Sequence, residues 1–253
     1  MGYYALKTAY LGTAYCGWQV QKNGLSVQSR LQSALEETFS VPVAVTGCSR
    51  TDAGVHARGF VCTAAGVPDS IPEDKLPEAV NCRLPDDIAV LAAARVPDSF
   101  HPRYSATGKE YIYRLRNARV PDPFDQAFTV LWPTPRPVDA ETCRDLCDSF
   151  TGTHDFASFM AAGSSVQDTV RTVRTFSCSR EGDLLTFTVS ADGFLYNMVR
   201  ILVGTVLDLE SGLLQLPPSE LIRAKDRSAA GRTMPAKGLC LNRVFYPDDP
   251  FVS

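Results

Sequence analysis

The stretch Gly47-Cys48-Ser49-Arg50-Thr51-Asp52-Ala53-Gly54-Val55-His56-Ala57 gathers a carboxylate, an imidazole and a guanidinium, with a second guanidinium at Arg58. Asp52 stands two residues from Arg50, between glycines at 47 and 54. A carboxylate beside an arginine, in a Gly-flanked loop at a sheet edge, is how a scaffold presents one reactive group to a ligand. The ordinary alternative is an aspartate that caps a turn or pairs with Arg50 at the surface, an arrangement of little energetic value. The flanks explain how the loop is carried. Val41 to Val45 reads as a strand, and Phe60 to Ala65 as a second. Two strands needing only a turn are served by a couple of Gly or Asn residues. This loop, which holds Arg50, Asp52, His56 and Arg58, is too long and too charged for that task alone.

The remaining elements must position these residues. Tyr3 to Ala9 is a plausible first strand, running into the glycine- and aromatic-rich Tyr10 to Gln19, either a stacking surface or a packed turn. Ser26 caps a helix from Val27 to about Phe39, whose Val27, Leu31, Leu35 and Phe39 form a core-facing stripe. A Pro-rich acidic stretch, Pro68 to Pro85, holds one short helix around Lys75 to Cys82, and Ile88 to Arg95 is a strand. From Gly108 to Asn117, Tyr111, Tyr113 and Leu115 alternate with polar neighbours, the pattern of a half-buried strand. Prolines from Pro121 to Pro137 mark the longest irregular connection. Asp139 caps a helix to about Phe150, and Thr169 to Cys178 with Leu184 to Ala191 form a hairpin. Phe194 to Glu210 is apolar around nearly its whole circumference, so it reads as a buried helix with Arg200 in its middle. A guanidinium there is costly unless an anion meets it, or unless it snorkels to water. A loop aspartate is its natural partner. Lys237 to Tyr246 reads as the final strand.

The whole chain sets bounds. Its 253 residues fit one or two domains, and 45% hydrophobic with 21% charged residues is ordinary for a soluble globular protein. No run approaches the ~18–20 apolar residues of a bilayer crossing, and the N-terminus lacks a signal-peptide pattern. The eight cysteines include no CxxC pair, so reduced, mostly buried thiols in the cytosol are expected, with neither metal nor disulfide framework. The net charge of −3 gives no global attraction to nucleic acid. Between Phe100 and Arg119, however, Arg103, Lys109, Arg114, Arg116 and Arg119 face only Glu110, which permits a basic groove on an acidic body.

Arg50 to Ala57 resembles the RTDxGVHA signature of the TruA family of tRNA pseudouridine synthases. Tyr10 to Gln19 is similar to the family's YDGxxYxGWQ segment, with Leu11 where Asp is usual. Phe100-His101-Pro102-Arg103 and Lys109-Glu110-Tyr111-Ile112-Tyr113 resemble its F-x-x-R and K-x-Y-x-Y stretches. Asp155 to Phe159 resembles its D-F-x-x-F motif, followed by Met160-Ala161-Ala162 where many members carry a polar or basic residue. Phe194 to Arg200 is similar to its buried helix and Lys237-Gly238-Leu239 to its final strand. The matches keep their order across nearly the whole chain.

The resemblance implies an α+β pseudouridine synthase fold of two similar domains, with mixed or antiparallel sheets flanked by helices around a central cleft. The division falls near Ser105, giving 1–105 with the aspartate loop and 106–253 with the tyrosine and arginine. It implies a cytoplasmic homodimer that isomerises uridines of the tRNA anticodon stem-loop with no cofactor and no metal. Asp52 would be the catalyst, acting at C1′ or on a ribose proton. Arg200 would keep Asp52 ionised, Tyr111 would lie under the uracil, and Leu239 would form the opposite wall. Arg50, Arg58 and Arg103 would contact phosphates and hold the target nucleotide out of its stem. Two rivals stand beside this reading. A non-catalytic tRNA-binding relative would be expected to lack Asp52, Tyr111 or Arg200. A glycosidase would need a second carboxylate, and the motif supplies none.

Overall fold

Capping residues and hydrophobic alternation lay out the elements in a computed structural model that describes residues 2–22, 24–164 and 166–252. In chain order these are β1 (Gly2–Tyr10), α1 (Val27–Phe39), β2 (Ala44–Gly47), β3 (His56–Val67), α2 (Leu76–Asn81), β4 (Ile88–Arg95), β5 (Gly108–Arg116) and β6 (Val130–Leu131). There follow α3 (Ala140–Asp148), β7 (Gly152–Asp155), β8 (Val170–Glu181), β9 (Leu184–Ala191), α4 (Met198–Glu210), α5 (Pro218–Ala224) and β10 (Leu239–Phe245). The protein is mixed α/β, with sheets flanked by helices in two compact units, 1–107 with 240–253 and 108–239. A division into 1–105 and 106–253 leaves out the return of residues 240–253 to the first unit. That return is made by parallel pairing of β10 with the start of β3, Cys240 opposite His56. No helix among the described residues is long and apolar enough to cross a membrane.

In the first unit the strands run in the order β4-β1-β3-β10, and β2 pairs with the distal half of β3. The Ser26 hydroxyl accepts from the Ser29 N–H and starts α1, which buries Val27, Leu31 and Leu35. Helix α1 packs on β2 and α2, and α2 on β4.

The segment joining β1 to α1 holds the loop between β2 and β3 through its backbone. The Trp18 N–H donates to the Thr51 carbonyl at 3.3 Å, the Gly54 N–H to the Tyr15 carbonyl at 3.3 Å, and the Val55 N–H to the Asp52 carbonyl at 3.1 Å. A Cβ at Gly12 would collide with the Val55 carbonyl, and one at Gly17 with that of Thr51; Gly17 also has φ +94°. Trp18 stacks on Phe60 with ring centroids 3.9 Å apart. The aromatic-rich segment is therefore a packed turn, and its residues support the aspartate loop from beneath.

In the second unit the order is β5-β9-β8-β7, all antiparallel, with β6 parallel to β5. Tyr111, Tyr113 and Leu115 are the buried face of β5, as the alternation requires. Asp139 caps α3 by accepting from the Glu141 N–H at 3.0 Å; α3 packs on β8 and α4, and α4 on β5. The helix starts later than its apolar pattern does. Asn197 takes the left-handed conformation, φ +60°, and stops helical geometry before Met198. Arg200 is thus in the first turn of α4, which corrects its expected place in the middle. Asp155, at the end of β7, accepts from Thr169 Oγ1 at 2.6 Å and pairs with Lys225 at 2.7 Å, while Phe156 and Phe159 fill the core. Those bonds from Lys225 and Thr169 hold the Asp155 carboxyl below its ordinary range.

Two measurements check this account. Gly17→Ala combines left-handed strain with a backbone collision and should cost about 2–5 kcal/mol. Gly163→Ala, at φ +86° with no atom within 4 Å of its Cβ, should cost only about 1–2 kcal/mol. Equal urea midpoints for the two would refute the close packing. The depressed Asp155 carboxyl stabilises the fold above the ordinary carboxylate pKa of about 4, and that contribution is lost as pH falls through its lower folded value. Asp155→Asn should therefore lower the urea midpoint at neutral pH and flatten its decline in acid. An unchanged acid limb would contradict the assignment.

Candidate active site

Asp52 is half-buried at the exposed end of its loop, with Ala53 open to solvent beside it. What fixes it is the pinning of both neighbours. The Thr51 hydroxyl bonds the Tyr10 phenol at 3.0 Å, and the turn closed by Val55 holds the other side. Asp52 therefore presents its carboxylate from a backbone that has little freedom left to lose, the condition for a preorganised reactive group. Arg50 projects from the same loop into solvent. His56 opens β3, is 3% exposed, and its Nδ1 accepts from the Gly12 N–H at 3.0 Å, a contact that ties the start of the strand to the segment before α1. Arg58 lies in β3 rather than in the loop, with its side chain exposed. The strand begins earlier than its apolar run because pairing with β1 and β10 extends across polar positions.

In the second unit, Tyr111 is buried on β5 with the ring of Phe194 edge-on at 5.1 Å. Tyr113, two residues on, is fully buried and donates to the Pro235 carbonyl at 2.9 Å. Burial pushes its phenol above the ordinary value, while the Arg200 charge acts in the opposite sense. Arg200 donates through Nε to the Met234 carbonyl and through Nη1 to Asn197 Oδ1, each at 2.6 Å, and its own carbonyl accepts from the Met234 N–H at 3.2 Å. A cation in the first turn of a helix opposes the helix dipole. Two charge-assisted bonds offset that and fix the plane of the guanidinium. The segment supplying Met234 is itself strapped to α4. Gly231 N–H donates to Thr205 Oγ1 at 3.0 Å, and Asp208 accepts from the Arg232 N–H and Nε at 3.0 and 2.8 Å. Leu239 follows at the start of β10 and is buried.

Arg103 is exposed in the turn after β4, its guanidinium 5.6 Å from the Tyr104 ring centroid. Asn197, Met234, Asp208 and Arg232 are positioning residues that sequence reasoning left out. Only Asn197 gave a signal, as the side chain most tolerant of left-handed backbone just before an apolar run. Asp155, part of a quoted motif, is an internal tie. Among the described residues, no group of three or more His, Cys, Asp or Glu is placed to hold a metal ion.

The comparisons with known proteins agree with this arrangement of motifs. A family model described as tRNA pseudouridine synthase matches residues 7–105 and 146–247. The tRNA pseudouridine synthase A of Clostridium kluyveri is 42% identical over 238 residues, covering 94% of this chain and 96% of that protein. The protein of the same name in Halalkalibacterium halodurans is 43% identical over 240 residues, covering 94% and 90%. A solved archaeal box H/ACA sRNP Nop10–Cbf5 complex covers 96% of this chain and 49% of its own at 11% identity and TM-score 0.39, a likeness too distant to bear on the site. Matched in both units, and at this identity over nearly its full length, the chain belongs to the tRNA pseudouridine synthase family.

Proposed function

We propose that this chain isomerises uridine to pseudouridine in tRNA, with Asp52 as its catalytic group. The reaction breaks the N1–C1′ glycosidic bond, turns the uracil and joins C5 to C1′. N1 gains a proton as C5 loses one, so composition is unchanged and no cosubstrate is consumed. The observation that carries the reading is Asp52 itself: one carboxylate, half-buried, on a loop whose neighbours are pinned by hydrogen bonds. A carboxylate so held can act at the ribose while the glycosidic bond breaks. Tyr111 offers a ring against which the freed uracil stacks and a phenol for the C5 proton. Leu239 supplies an apolar wall, and Arg200 binds an anion with a guanidinium already oriented by Asn197 and Met234. Arg50, Arg58 and Arg103, all exposed, contact phosphates and offset the few kcal/mol that extruding a base costs. The finer parts of the reading are a homodimeric, cytoplasmic enzyme that acts in the anticodon stem-loop and divides its work between an aspartate-bearing and a tyrosine- and arginine-bearing domain.

The decisive assay uses tRNA transcripts tritiated at uracil C5. The wild type should release tritium, and Asp52→Ala should release none while binding tRNA within about tenfold of the wild type, since phosphate contacts carry most of the affinity. Turnover by Asp52→Ala would remove it as catalyst; binding without release by the wild type would favour a non-catalytic tRNA-binding protein. Each of Arg50→Gln, Arg58→Gln and Arg103→Gln should lower the slope of log affinity against log salt by about one. Unchanged slopes would exclude phosphate contacts at these positions.

A further inference from the structure

The turn between β4 and β5 carries an exposed aromatic ring that neither the core nor the proposed chemistry uses. Tyr104 is 76% exposed, yet its backbone is held firmly. The His101 N–H donates to the Ser105 hydroxyl at 3.0 Å, and the Ser105 N–H to the His101 carbonyl at 2.9 Å, which closes the turn. The N–H groups of Arg103 and Tyr104 both donate to His101 Nδ1, at 3.1 and 3.3 Å. The imidazole proton therefore sits on Nε2. The turn is anchored below by Tyr246, which donates to the Pro102 carbonyl at 2.7 Å and packs its ring 5.2 Å from that of Phe100.

Around Tyr104, the His101 ring lies 4.3 Å away at a tilt of 38°, and the Arg103 guanidinium 5.6 Å from the ring centroid. The turn thus holds an aromatic ring that is largely open to solvent, with an imidazole packed against it and a guanidinium over it. Large exposed rings bind with little entropy loss because few torsions need freezing. A π-face next to a positive charge fits one ligand chemistry closely: an unpaired nucleobase with its own phosphate. Single-stranded nucleic acid is held in this way, by bases stacked on aromatic rings and phosphates on neighbouring cations.

We infer that Tyr104, backed by His101 and flanked by Arg103, is a stacking platform for an unpaired base of the RNA substrate. The inference rests on the tRNA-modifying reading and adds a base contact to the phosphate contact proposed for Arg103. Stacking is sequence-tolerant, since every base has a π-face, so the platform recognises an unstacked nucleotide rather than a particular letter.

The test compares Tyr104→Leu, Tyr104→Phe and Tyr104→Trp on unmodified tRNA transcripts by tritium release. Tyr104→Leu should raise KM about tenfold with kcat within about twofold, and Phe and Trp should restore KM to within about twofold of the wild type. The salt slope of Tyr104→Leu should equal that of the wild type, because a stacking contact releases no counterions. A wild-type KM in Tyr104→Leu would overturn the platform, as would Phe and Trp variants no better than Leu. A fall in kcat alone would assign Tyr104 to the chemistry, and an altered sedimentation coefficient in Tyr104→Leu would assign the ring to contact between copies of the chain; either contradicts the inference. No tritium release from the wild type would be a failure of the synthase reading instead, and is distinguishable because the variants are compared only where the wild type turns over.

Discussion

The placement of the proposed catalytic loop depends on one close approach, that of the backbone of residues 51–55 to the segment of residues 12–18. Two carbonyls, Thr51 and Val55, occupy the space that side chains at Gly17 and Gly12 would need. Bonds from Trp18 and Gly54 then lock the register. A loop bearing a reactive carboxylate is otherwise free to move, and freezing it at the moment of substrate binding would cost on the order of 1–2 kcal/mol per residue. Here that cost is met during folding. The apolar half of the same segment, through Trp18 stacked on Phe60, supplies the burial that offsets it. Asp52 itself is half-buried.

The second unit solves a different problem by similar means. Arg200 must keep a guanidinium oriented at the start of a helix whose interior is apolar. Asn197 and Met234 both give acceptors, and the Met234 segment is in turn tied down by Thr205 and Asp208 at successive turns of α4. Asp208 is buried, and its hydrogen bonds to Arg232 satisfy a charge that would be costly alone. The tie between helix and segment therefore transmits position to Arg200 from two turns away. In each unit hydrogen bonds from neighbouring segments hold backbone that carries proposed functional side chains.

Where the sequence was informative, the signal was local. Ser26 before an apolar stripe, Asp139 before Glu141, and the alternation of Tyr111, Tyr113 and Leu115 each act over a few residues, and the elements follow them. The motif around Asp52 also marks a real loop. The departures come from contacts between distant residues. The parallel pairing of β10 with β3 joins Cys240 to His56, and nothing in either strand announces it. His56 reads as part of the charged loop beside Asp52, and in the fold its Nδ1 accepts from the Gly12 N–H. Arg200 looks mid-helix until Asn197 breaks the helix just ahead of it. Polar residues are ambiguous in sequence because their partners decide their role, and those partners lie far along the chain.

The central claim is that the Asp52 loop is set before RNA arrives, and amide hydrogen exchange on the free protein tests it most directly. The Trp18, Gly54 and Val55 amides donate to the Thr51, Tyr15 and Asp52 carbonyls. They should exchange as slowly as the amides of β1 and β3, and addition of tRNA should change them little. Exchange at the rate of an open loop, slowing only when tRNA binds, would mean that the substrate builds the site, and would contradict the account.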